Sequence, residues 1–368
     1  MERPIFKPIG TAEEALDTPA LVVDFSGLNQ NIETMHSFFR SRPVGLRPHV
    51  SGHGSPAIAH MQIAAGGTVG GIMTATLGQA EVFSATGFDD IFLANLVTAP
   101  SKIARLCSLA RRVNMTIAAD SVPNVTDLGE ASVEAGVILN VVVEINTRRD
   151  STGVAPGRPA LELANAIAGE EGLHFAGLMT YEGSLRSEGE ELVSESKKWI
   201  QQILDTREKV EKSGLDVEIL SVGGTHNYEI AGDMDGVTEV AAGSYALMDE
   251  GYRTYRPQFV NAARIMSCVT SMPEAGNVVT DAGRKAIGGD TGNPGIPTVP
   301  GGEVRGLSAE HGGIDIDPSI DHGLSLGDRV WFVPNSIEGC VNLHDYMHVI
   351  RNGKLDAIWE LPARGRYR

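Results

Sequence analysis

His49 and His53 stand four residues apart in Arg47-Pro48-His49-Val50-Ser51-Gly52-His53-Gly54, where an apolar run gives way to glycine. An imidazole at such a point could act as a general base or a metal ligand. In the plainer alternative both rings are hydrogen-bonded scaffold. Residues four apart on a strand face the same way, although Gly52 and Gly54 loosen the backbone here. Tyr181 closes a second apolar run and could be an acid, a base, a stacking platform or passive lining. Arg148 and Arg149 follow a third. A pocket arginine would grip a carboxylate or phosphate bidentately; a solvated pair would do neither. Gly223-Gly224-Thr225 and Gly243-Ser244-Tyr245 follow two further runs, and their backbone N–H groups could cup a phosphate. Glu182 and Asp249 are weaker candidates, and His344-Asp345 suits a structural turn.

These residues lie where strand-like runs end. The runs are Val44–Val50, Val69–Ala75, Asp90–Asn95, Met115–Ala119, Leu139–Ile145, Phe175–Tyr181, Val217–Val222 and Val237–Ala242. Helical patterns fall between them, at Gly54–Ala65, Ala99–Arg112 and Glu190–Gly214. Eight strands alternating with helices imply a parallel sheet, and eight favours closure into an α/β (β/α)8 barrel of the TIM type over residues 26–258. Beyond Arg256, β runs such as Ala263–Thr270, Gly276–Thr280 and Arg329–Val333 alternate with Gly/Pro loops. They imply a C-terminal β domain of residues 1–25 plus 259–368, with Ala20–Phe25 pairing into it.

The formal net charge of −17 comes without a Lys/Arg cluster, so nucleic acid is not an expected partner. No apolar run approaches a membrane helix, which needs about 20 residues, and MERPIFKPIG is not a secretory signal. Cys107, Cys268 and Cys340 show no CxxC spacing. That pattern suggests reduced thiols and a cytoplasmic protein.

Several segments in order resemble one family. They are Asp17–Asp24 (DTPALVVD), Gly45–His49 (GLRPH), Val222–Thr225 (VGGT), Ala241–Asp249 (AAGSYALMD), Asp281–Ile287 (DAGRKAI), Ala309–Gly312 (AEHG) and Val341–Asp345 (VNLHD). The chain resembles the D-threonine aldolases and D-serine dehydratases, fold-type-III pyridoxal phosphate (PLP) enzymes with an alanine racemase-like barrel. The resemblance implies a lyase, a PLP cofactor, a divalent metal and a homodimer. The departures from the family are specific. Ser51 stands where the family's Schiff-base lysine would be, and a hydroxyl forms no imine. Ser151 takes the place of a cofactor arginine, Met179 that of a glutamine, and His226 that of a glycine beside the phosphate cup. The family's metal-binding Pro-Asn-His-x-Cys/Asp is here Pro334-Asn335-Ser336-Ile337-Glu338, and Cys340 falls two positions too late. Glu338, with His311 of the Glu-His-Gly match, could still hold a hard cation.

The expected protein is a lyase that cleaves a small hydroxylated substrate by retro-aldol reaction or elimination, without a PLP imine. His49 or His53 would move the proton; Tyr181 or Arg148 would stabilise the oxyanion. A divalent metal on Glu338 and His311 stays open. So does PLP held non-covalently by Gly223, Gly224, Thr225, Gly243, Ser244 and Tyr245. A non-catalytic binding protein on the same scaffold is the reading from another class.

Overall fold

The structure is a computed structural model that describes residues 6–148, 151–183, 185 and 187–368. Two compact units emerge. One comprises Met35–Ser51, Ile58–Gly243 and Gly365–Arg368; the other comprises Met1–Thr34, Gly52–Ala57 and Ser244–Arg364.

Strand β1 (Ala20–Asp24) belongs to the second unit. The first holds β2 (Gly45–Pro48), β3 (Ile72–Thr74), β4 (Asp90–Leu93), β5 (Asn114–Ala119), β6 (Leu139–Glu144), β7 (Leu173–Met179), β8 (Ile219–Val222) and β9 (Glu239–Ala242). They pair in the order β2-β9-β8-β7-β6-β5-β4-β3. Isolated bridges Leu46–Thr68 and His49–Met73 bring β2 round to the far edge and close the barrel. All eight expected runs are strands; most are trimmed at one or both ends, while β5 and β7 begin one and two residues earlier than expected. The first stops at Pro48 because Val50–Gly52 turns as a 3-10 helix.

Parallel strands covered on both faces read as continuous apolar runs. Met73, Phe92, Ala118, Val142, Ala176 and Met179 cluster in this unit's core. Each large side chain there is worth roughly 1.5–3 kcal/mol of burial. Met179 thus packs in the core where the family would place an amide. Arg47 on β2 lies 2.9 Å from Glu239 of β9 and 3.2 Å from Asp90 of β4. Asp90 and Glu239 open their strands, so this ion cluster marks the end opposite the strands' carboxyl termini. The helix Gly189–Lys212 buries Leu192, Ser196, Ile200, Ile203, Thr206 and Val210 at three- and four-residue steps and starts acidic and ends basic, as its dipole prefers.

In the second unit, β1 pairs antiparallel with β10 (Ala263–Glu274) and parallel with β15 (Tyr346–Arg351). The sheet continues through β11 (Asn277–Thr280), β12 (Gly302–Leu307), β13 (Gly312–Ile316), β14 (Arg329–Phe332) and β16 (Lys354–Glu360). Leu16, Ala20, Val22, Met266, Ile350 and Leu355 form its core. The early run therefore does join the C-terminal sheet. Among the described residues, no helix is long and apolar enough to cross a membrane.

Candidate active site

The carboxyl ends of barrel strands are where this architecture gathers chemistry. At the end of β2, the His49 N–H donates to the Ala242 carbonyl of β9 (2.9 Å). Gly243 must lack a Cβ there, since one would strike the His49 carbonyl oxygen. The 3-10 turn then brings the Ser51 hydroxyl to 2.8 Å from His49 Nδ1. His49 and Ser51, two residues apart, thus share one side, as they would on a strand. Burial pushes the largely buried His49 ring down to about 4. It is neutral at physiological pH.

The ends of β6 and β7 are tied by hydroxyls. Thr180 Oγ1 donates to the Ile145 carbonyl (2.8 Å), which leaves Thr147 to donate to Thr180 (3.0 Å). Arg148 is exposed, its Nη1 donating to the Glu182 carbonyl at 2.9 Å. Among the described residues it forms no ion pair. Arg149 lies outside the described residues. Ser151 is exposed. Tyr181 is 37% exposed, and its ring stands edge-on to His226 with centroids 6.1 Å apart.

Beneath Tyr181 is a cluster that sequence reasoning under-weighted. Glu182 is fully buried and its carboxylate accepts from Asn227 Nδ2 (2.5 Å) and from the Gly223 N–H (3.3 Å). The Asn227 amide oxygen accepts from the Gly224 N–H (3.0 Å). His226 Nε2 lies 3.7 Å from Glu182. Burial alone would raise the Glu182 carboxyl, but His226 and then Asn227 hold it below the usual carboxylate range. Glu182 and His226 stand out in the chain separately, but nothing there pairs them with Asn227, which follows Gly223-Gly224-Thr225-His226.

The remaining candidates lie in the second unit. His53 is buried, with Nδ1 accepting from the Ser55 N–H (3.1 Å). It braces a turn. Tyr245 is fully buried and Ser244 partly so. Asp249 caps the helix Glu250–Arg253 and accepts from the Ile337 N–H (3.1 Å). Burial lifts its carboxyl to about 6. The Glu338 carboxyl is likewise raised, first by crowding and then by Asp249. His311 is exposed on a loop whose Glu310 pairs with Lys285 at 2.6 Å. His344 donates through Nε2–H to the Ala286 carbonyl (2.7 Å), and Asp345 accepts from Arg364 (2.6 Å). Both are structural. Cys340 is buried with its thiol aimed at the Ala286 carbonyl.

Neither group implied by the family fits these residues. No three His, Cys, Asp or Glu side chains converge for a metal among the described residues, and Ser336 offers no imidazole. For PLP, Ser51 supplies no amine. The Gly223 and Gly224 N–H groups already serve Glu182 and Asn227.

A closed parallel barrel with a base and polar groups at its strand ends defines an enzyme scaffold. Residues 23–250 match the alanine racemase N-terminal domain, and residues 262–350 match the putative serine dehydratase domain. The D-threonine aldolase of Arthrobacter sp is 32% identical over 95% of this chain and 93% of its own. The 3-hydroxy-D-aspartate aldolase of Paracoccus denitrificans (strain Pd 1222) is 30% identical over 97% and 94%. The crystal structure of D-threonine aldolase from Filomicrobium marinum superposes with a TM-score of 0.94 at 32% identity, covering 98% of this chain and 99% of that one. The chain belongs to the D-threonine aldolase and D-serine dehydratase family, with its alanine racemase-like fold.

Proposed function

We propose that this protein is a lyase that cleaves a small hydroxylated substrate without a PLP imine, using a base in place of the lysine. The observation that carries this is the 2.8 Å contact between Ser51 Oγ and His49 Nδ1, at the position the family gives to its Schiff-base lysine. With Ser51 accepting from Nδ1–H, His49 presents a bare Nε2. That nitrogen takes the proton of the substrate hydroxyl. The adjacent C–C bond breaks, an aldehyde forms, and the electron pair passes into a carbonyl the substrate itself carries. Arg148 or Tyr181 steadies the resulting oxyanion, and the proton returns to carbon. Elimination of water would use the same base on a carbon-bound proton. The aldolases among the relatives support the small hydroxylated substrate class.

The test is aldehyde release from γ-hydroxy-α-keto acids, whose hydroxyl is β to the ketone so that cleavage leaves an enolate, and from β-hydroxy amino acids, each with and without added PLP. Cleavage of the keto substrates without PLP is expected, with His49→Gln lowering kcat/KM by about 10²–10⁴. Cleavage of amino acids alone, and only with PLP, would overturn the proposal.

A further inference from the structure

The loop after β8 keeps the form of a phosphate-binding turn. Gly223 sits at φ 76°, and successive backbone N–H groups follow it, the arrangement that cradles anions elsewhere. Its donors are nonetheless consumed. The Gly223 N–H goes to Glu182 Oε2 at 3.3 Å, and the Gly224 N–H to Asn227 Oδ1 at 3.0 Å. Asn227 in turn bridges to Glu182 and to Ser196 Oγ (3.2 Å). The space is consumed as well. The His226 ring lies so close that a Cβ on Gly224 would come within 2.9 Å of its Nδ1 and Cε1. Both ring nitrogens of His226 are buried without a hydrogen-bond partner among the described residues. Glu182 adds a buried negative charge within hydrogen-bond distance of the N–H a phosphate would need.

We infer that this loop is closed to phosphate: Glu182 and Asn227 hold its N–H groups, His226 fills its space, and the protein takes unphosphorylated ligands. The inference deepens the imine-free reading above and rests on it only for the choice of ligand class. A phosphate entering the loop would have to displace two internal hydrogen bonds and approach a buried carboxylate, and like charges in such surroundings are only weakly screened. The cluster is a lock built from side chains of β7's end, the long helix after it and the turn after β8.

The experiment compares binding of PLP, pyridoxal and inorganic phosphate to the purified full chain by calorimetry and equilibrium dialysis. Equal affinity for PLP and pyridoxal, or no binding of either, is the expected result. PLP bound at least tenfold more tightly than pyridoxal, and displaced by inorganic phosphate, overturns the inference. The double variant His226→Gly/Asn227→Ala frees one N–H and the space above it, so its PLP-to-pyridoxal preference should rise at least tenfold. A folded double variant with no gain overturns the assignment to these side chains. Glu182→Gln, which keeps the shape and removes the charge, carries the same test with a smaller expected gain of about threefold should the double variant not fold. Only binding is read, so an enzyme inactive in every cleavage assay would refute the proposed reaction and leave this ratio standing.

Discussion

His49 should make the protein acid-sensitive in a way that one substitution removes. Burial takes its ring from the ordinary 6.5 to about 4. That difference corresponds to about 3 kcal/mol between the protonated and neutral states. The folded ring binds a proton less readily than the unfolded one. The associated stability is therefore complete above about 6.5 and is lost as pH falls from there through about 4. Other groups titrate in the same window. His344 and His348 are also lowered, and Asp249 and Glu338 are raised. The comparison must therefore be a difference between two proteins. Urea unfolding of wild type and His49→Gln at intervals from pH 8 to pH 4 supplies it. The two stability curves should run parallel above pH 7 and converge below 6, by up to about 3 kcal/mol in favour of the variant. Parallel curves throughout would refute the claim that the folded protein holds His49 neutral. The catalytic corollary is an acid limb of kcat/KM at about 4; a limb at 6.5 would show a solvated ring.

The ion cluster in the barrel gives a second prediction. Arg47→Met leaves Glu239, 2% exposed, without its partner and should cost about 3–5 kcal/mol, read by urea unfolding; a loss under 1 kcal/mol contradicts it. Glu182→Ala strips the acceptor from Asn227 and the Gly223 N–H and should cost about 3 kcal/mol, whereas Glu182→Gln should cost less because its amide oxygen still accepts; equal losses would show that charge alone matters. Prolonged EDTA treatment should leave both the melting temperature and the proposed cleavage unchanged, as elemental analysis and a melt before and after will show. Ser51→Lys alone should not generate the PLP imine absorbance, because the loop after β8 stays closed; a stable imine in that single variant would count against the phosphate lock.

The barrel was legible because its strands are short, apolar and separated by amphipathic helices, so each run announces itself. The second unit was only half legible. Ala263–Thr270 and Arg329–Val333 read as strands, but β12 (GEVRGL) and β13 (GGIDI) carry glycines and charges that disfavour a strand by composition. They are strands because they pair with each other and β13 pairs in turn with β11, a tertiary fact. The site divides in the same way. Ser51 and His49, two residues apart, would share a face even on a strand, but the sequence points to His49 and His53 instead, and the 2.8 Å contact shows only in the structure. Glu182 and Asn227 are 45 residues apart. Their meeting depends on β7 and β8 being adjacent in the barrel, and no local pattern encodes the partner of a buried carboxylate.

The loss of the lysine and the filling of the loop after β8 share one physical logic. A cofactor anchored at two points binds far more tightly than at either alone, because the second contact forms at high effective concentration. Once Ser51 removes the covalent anchor, a phosphate cup by itself would hold a ligand weakly and would often stand empty. An empty cup leaves buried backbone N–H groups without partners, each at a cost of about 1–3 kcal/mol. Glu182 and Asn227 satisfy those groups permanently. The loop's order then no longer depends on a ligand. The same carboxylate that completes the turn repels the anion that the turn once suited, so stability without the cofactor and exclusion of the cofactor come from one set of hydrogen bonds. The proposed chemistry would then fall to the other strand ends, where Tyr181 and Arg148 retain solvent access.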